Sequence, residues 1–128
     1  MRIQQGVDIS DVRRMEMACK RNGKRFLNRV FTSAEQAYCE TKRMKYEHYA
    51  ARFAAKEAVM KAIEIKGENR YRFKEIEIKR QPTGKPFVYF SPKAKKHFKL
   101  PKRFQMELSM AHEREFAIAT VLMIVRDN

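Results

Sequence analysis

The chain has 128 residues, 44% of them hydrophobic and including nine Phe and five Tyr, which predicts a single domain over 1–128 with a real core and excludes a disordered basic tail. Twenty-nine Lys and Arg against fifteen Asp and Glu leave a net charge of +14. Such a surface steers toward a polyanion: nucleic acid, a phosphorylated cofactor, an anionic membrane or an acidic protein.

No apolar run approaches the roughly 20 residues needed to span a bilayer. The stretch MRIQQGVDIS is too short and polar for the core of a secretory signal, so the cytoplasm is the expected compartment. Cys19 and Cys39 stand in no metal-ligand spacing and read as small buried or half-buried thiols in a reducing environment.

RIQQGVDI reads as a short strand ending at Asp8. Ser10 is the expected N-cap of a helix, DVRRMEMACKR, with Asp11 in its first turn and the Asn22-Gly23 break at its end. RFLNRVF is a short apolar segment. Thr32 then caps TSAEQAYCETKR, with Glu35 at the capping-box position. The longest helix is expected from Lys45 to Ile65.

After Gly67 the period changes to two. Ile76 and Ile78 share a face in RFKEIEIKR, QPTGKP is a turn, and FVYF is a second strand. SPKAKKHFK is a short basic helix or loop, within a segment from Ser91 to Phe104 holding six basic residues and no acidic one. Phe104, Met106, Leu108 and Met110 alternate as in a half-buried strand. EFAIATVLMIV is almost continuously apolar, which predicts a strand covered on both faces or lying in a subunit interface. Helices followed by strands predict an α+β fold, with helices packed on an antiparallel β-sheet.

On a helical wheel of about 100° per residue, Ala51, Ala55, Ala58, Val59 and Ala62 form one apolar stripe. Phe53, Glu57 and Lys61 fall together on roughly the opposite side. Glu57 and Lys61 alone describe an ordinary surface pair. The aromatic aligned with them suggests a docking face. Asp8 either caps the next helix or meets Glu57; two hard oxygen ligands of that kind suit Mg²⁺, which keeps waters and adds phosphate oxygens. Lys61 then neutralises phosphate charge. His112 is expected in the turn between the last two strands, and Ser109 on the face opposite Leu108 and Met110.

Taken together, GVDIS, RFLNRVFTSAE, RFAAKEAVMKA, TGKP and ELSMAHEREFAIATV resemble, in order and spacing, the holo-acyl-carrier-protein synthase group of 4′-phosphopantetheinyl transferases. The resemblance implies transfer of phosphopantetheine from coenzyme A to a serine of acyl carrier protein, releasing adenosine 3′,5′-bisphosphate. It makes Asp8 and Glu57 the Mg²⁺ ligands, and Asp8, Glu57 and Lys61 the catalytic set. Either Glu57 or a metal-held water takes the serine proton. Arg52 and His112 match positions near the coenzyme 3′-phosphate. Gly84, Lys85 and Pro86 match a loop beside the adenine, with Ser109 and Lys61 also on the coenzyme.

Arg14, Arg21, Arg25, Phe26 and Phe53 correspond to a surface that receives an acidic carrier helix. A homotrimer with active sites at subunit interfaces is implied, with neither nucleic acid nor membrane as partner. The chain departs from the group's pattern at EIKGENR, Ala51, Ala111 and Glu113, all near the coenzyme pocket. Two other readings stand beside this one. A basic nucleic-acid-binding domain rests on an isoelectric point of about 10.1 and the Lys-rich 91–103 segment. A degenerate relative would bind coenzyme A or carrier without turnover.

Overall fold

The computed structural model describes residues 1–126. Strand β1 (Arg2–Asp11) is followed by α1 (Val12–Val30), α2 (Ser33–Glu40) and α3 (Lys45–Ala62). Two short 3-10 turns, Gly67–Tyr71 and Phe73–Glu75, lead into β2 (Ile76–Arg80) and β3 (Pro86–Phe90). Then come α4 (Pro92–His97), β4 (Phe104–His112) and β5 (Phe116–Val125). The architecture is α+β. One antiparallel sheet has the order β1-β5-β4, and β2 and β3 form a separate hairpin.

Helix α3 is the axis of the molecule. Its C-terminal half, from Ala54 to Ala62, packs into a cluster with Ile76, Ile78, Phe90, Phe98, Leu108, Ala119 and Val121. Its N-terminal half contributes Tyr49, Ala50 and Ala51 to a second cluster with Met15, Cys19, Val30, Phe31 and Cys39. The alanine stripe is wholly buried, and small side chains let the helix lie close on the sheet. The closest approach is at Gly6, where a Cβ would fall 2.0 Å from the Ala58 carbonyl oxygen. Replacing Gly6 with Ala therefore forces the helix off β1. The expected loss is about 3 kcal/mol, the upper end for overpacking, read as a lowered urea midpoint; an unchanged midpoint would refute the close approach.

Several boundaries differ from expectation. β1 runs three residues beyond Asp8, because it stays paired with β5 as far as Asp11 opposite Phe116. Asp11, not Ser10, caps α1, its Oδ1 accepting from the Arg14 amide at 2.9 Å. Gly23 (φ 57°, ψ −141°) breaks the helical path of α1 where expected, but a second helical stretch follows at once, so RFLNRV is helical rather than a separate apolar segment. α3 stops at Ala62, where Ile63 N–H bonds back to Val59 O at 2.9 Å. The Thr32–Glu35 capping box is present in full.

β5 alternates: Ala117, Ala119, Val121, Met123 and Val125 are buried under α3. Its other face is open, with Phe116, Ile118 and Leu122 at 44%, 41% and 42% exposure. The strand is thus covered on one face within the chain, and Ile3, Val7 and Ile9 of β1 extend the apolar outer surface. Burial pushes the Cys19 thiol up to about 11 and that of Cys39 to about 12, as for inert core thiols.

Candidate active site

Gly6 sets the site's geometry by bringing the last turns of α3 against β1. Asp8 lies two residues on, opposite Ala119 of β5, so it shares the helix-facing side of the sheet. Lys61 reaches back across the β1 edge, its Nζ donating to Val7 O at 2.9 Å and lying 3.2 Å from Asp8 Oδ1. Glu57 stands one turn before Lys61 and is half-buried. Burial first, and the nearby Asp8 charge second, hold its carboxyl above the ordinary carboxylate range, with Lys61 opposing.

Two carboxylates repelling one another beside a single ammonium make a site short of positive charge. Among the described residues no group of three or more His, Cys, Asp and Glu could hold a metal ion. The pair therefore fits a cation that accepts few protein oxygens and completes its shell with water and phosphate, as Mg²⁺ does. It does not fit zinc, whose structural sites need four protein ligands and whose catalytic sites need three.

The other singled-out residues fall in separate groups. Lys85 and Ser109 line one cavity of about 760 Å³ together with Lys61. Gly84 takes φ 92° in the β2–β3 turn, and Lys85 Nζ pairs with Glu107 at 2.8 Å. Pro86 opens β3.

Arg52 is 2% exposed and stacks on Tyr38, its guanidinium carbon 4.2 Å from the ring centre. Its Nη1 donates to His48 O at 3.3 Å, while its Nε has no partner. His112, the last residue of β4 rather than a turn residue, meets the His48 ring at 4.7 Å and Glu47 Oε1 at 2.8 Å. Nδ1 of His48 is likewise buried without a partner, and burial lowers its imidazole to about 4. Arg80 lies 5.1 Å and Lys42 4.6 Å from the same Tyr38 ring.

Arg14, Arg21 and Arg25 are exposed along α1. Phe26 and Phe53 are half-buried against the second cluster, with Phe53 tilted on Phe73 at 5.6 Å.

Sequence reasoning missed Tyr38, Glu47, His48 and Arg80, which only tertiary packing joins to Arg52 and His112. It also missed the role of Lys56. Fully buried, Lys56 Nζ contacts Glu35 Oε1 at 2.8 Å, Phe73 O at 2.9 Å and Ile76 O at 2.5 Å. The available signal was a lysine one turn after Arg52 and outside the Phe53–Glu57–Lys61 face.

A family model described as the 4′-phosphopantetheinyl transferase superfamily matches residues 4–121, and the chain belongs to that superfamily. Within it the chain falls in the holo-[acyl-carrier-protein] synthase group of enzymes. It is 40% identical to the holo-[acyl-carrier-protein] synthase of Ruminiclostridium cellulolyticum over 96% of this chain and 92% of that one. The crystal structure of Helicobacter pylori holo-[acyl-carrier-protein] synthase in complex with coenzyme A is similar at 31% identity. Its TM-score is 0.77, covering 91% of this chain and 96% of that one. A Chronobacterium ammoniagenes ACPS–coenzyme A complex shares the fold, with a TM-score of 0.87 at 24% identity over 99% of this chain and all of that one.

Proposed function

We propose that this chain transfers 4′-phosphopantetheine from coenzyme A to a serine hydroxyl of apo acyl carrier protein, with Mg²⁺ held by Asp8 and Glu57. The observation that supports this reading is the Lys61–Asp8 pair at the β1 edge, with the half-buried Glu57 one turn before Lys61 and near enough for the Asp8 charge to raise its proton affinity. A divalent cation there supplies charge neutralisation for the coenzyme pyrophosphate and the departing phosphate. Lys61, fixed by Val7 O and Asp8, orients its ammonium toward the same phosphates. The serine oxygen attacks the phosphorus bearing the pantetheine, and the bond from that phosphorus to the bridging oxygen breaks. Adenosine 3′,5′-bisphosphate leaves. The raised affinity of Glu57 for a proton suits it to accept the serine proton.

The Arg52–His112 cluster is the proposed seat of the 3′-phosphate, supported by the orphaned Nε of Arg52 among cations. Gly84, Lys85, Pro86 and Ser109 are assigned to the rest of the coenzyme. Arg52 precedes Glu57 by five residues, about 140° around the helix, so the two point in different directions. A site shared between neighbouring subunits resolves this. The apolar outer face of β1 and β5 supports a homotrimer, since exposed patches of this kind mark interfaces. The exposed cations Arg14, Arg21 and Arg25, with Phe26 and Phe53, are the proposed seat of the acidic carrier helix. Their association should weaken with salt.

Mass spectrometry of apo carrier incubated with coenzyme A and Mg²⁺ should show the gain of one phosphopantetheine, lost on adding a chelator. No gain with several carriers overturns the activity. Mixed Asp8→Asn and Arg52→Ala proteins, each inactive alone, should recover transfer once their subunits exchange; no recovery overturns the shared site.

A further inference from the structure

The transfer chemistry leaves one feature of the chain unused. Lys93, Lys95, Lys96, Lys99, Lys102 and Arg103 project from α4 and the loop after it, and all six are exposed. Among the described residues none of their side chains has a hydrogen-bond or ion-pair partner. Elsewhere some exposed cations are paired: Lys20 with Glu16, Lys45 with Glu40, Arg72 with Glu75 and Lys85 with Glu107. The cleft beside Lys99 adds Arg2 and Lys66 to the same surface, with Glu64 as its carboxylate, bonded to Gln4 at 2.9 Å.

The segment is built to hold these charges still. Ser91 caps α4, its Oγ accepting from the Ala94 amide at 3.0 Å, and Pro92 occupies the first turn. Ala94 and Phe98 are buried, and Phe90 holds Phe98 and Phe104 edge-on, each at 6.2 Å. At the other end Leu100 N–H reaches Lys95 O at 3.0 Å and Lys99 N–H reaches Lys96 O at 3.2 Å. That closure places Lys99 at φ 51°, where glycine is the usual residue. Leu100, Pro101 and Phe104 are partly covered, and every lysine is outward.

We propose that this basic face rests on the surface of an anionic phospholipid bilayer. Polybasic clusters of four to eight residues bind such surfaces through the field of the headgroups, without a shaped pocket. Five of the six cations are Lys, compact point charges, rather than Arg, which reads phosphate by paired hydrogen bonds. The patch offers nucleic acid little else. α4 has six residues, too short to read a groove, and the aromatic rings of this segment are turned into the core rather than open to stacking bases. With no apolar wedge exposed, attachment is electrostatic and reversible. The expectation of no membrane partner is set aside.

The test is sedimentation of the full chain with vesicles of phosphatidylcholine alone, or with about a third phosphatidylglycerol, at low and high salt. Binding is expected only to the anionic vesicles and only at low salt. Lys93→Gln/Lys95→Gln/Lys96→Gln/Lys102→Gln should weaken it about a thousandfold while leaving carrier modification in solution unchanged. An Arg14→Gln/Arg21→Gln/Arg25→Gln protein should still bind. Equal loss in both variants would mean that net charge alone acts, and overturns the assignment. So does tighter binding of the same lysines to duplex or single-stranded DNA than to anionic vesicles.

Discussion

Replacing Glu57 with Gln is expected to abolish transfer and at the same time raise the melting temperature. Folding buries the carboxyl and sets it near Asp8, so its proton affinity is higher folded than unfolded. For a group shifted in that direction, the folded state favours the protonated form. Stability falls as pH rises through the unfolded and then the folded value, and at neutral pH the carboxylate is a burden. A neutral amide of the same shape removes the burden and gives a gain of a few °C. It also removes the proposed metal ligand and proton acceptor. The expected fall in kcat/KM is about a thousandfold or more. Calorimetry and the transfer assay on one preparation read both effects. A variant within about tenfold of wild-type activity would falsify the role of Glu57. Asp8→Asn should lower activity similarly with less gain in stability, because it also breaks the partly exposed Lys61 pair, worth about 0–1 kcal/mol.

Lys56→Met should be the most destabilising of these substitutions. Lys56 has three protons and three acceptors: Glu35, Phe73 O and Ile76 O. Burial pulls its pKa down, and the Glu35 charge opposes that pull. Glu35 in turn accepts from Thr32 N at 2.8 Å and Ile78 N at 2.7 Å, so one ion pair joins α2, α3 and β2. Removing one partner strands the other in the core at a cost of about 3–5 kcal/mol. In a chain of this size that lowers the melting temperature by about 10–20 °C. Glu57 is the next residue along, so the surviving folded fraction should also bind coenzyme A more weakly. A melting temperature within about 3 °C of wild type would show that the pair does not hold the three elements together.

What could be read in the sequence was whatever periodicity and local chemistry encode. The alternation from Phe104 to Met110, the Thr32 cap and the alanine stripe of α3 all needed only near neighbours. The Asn22-Gly23 break was legible from local propensity, since Gly23 is non-helical; the helix that resumes after it was not, because packing rather than propensity carries RFLNRV. Asp11 displaced Ser10 as the cap because pairing with β5 keeps Ser10 in the strand, where it is buried. The proposed metal ligands were suggested by resemblance and the wheel. The neighbours of Arg52 around Tyr38 were not, since Tyr38, His48, Arg80 and His112 come from four elements and carry no common spacing. The continuous apolar run of β5 is ambiguous as sequence; within the chain one face is uncovered, which rules out coverage on both faces there and leaves the interface as a proposal.

The pairing of β1 with β5 also has a consequence in time. Arg2 lies opposite Val125 and Asp8 opposite Ala119, so the first strand of the chain is held by the last. During synthesis β1 has no partner until β5 has emerged, more than a hundred residues later, and sequence-distant pairing of this kind is slow. Asp8 is thus made early and placed late. Glu57 and Lys61 can be helical long before a carboxylate stands beside them, and the nascent chain passes through a stage that is mostly built yet cannot assemble its charge cluster.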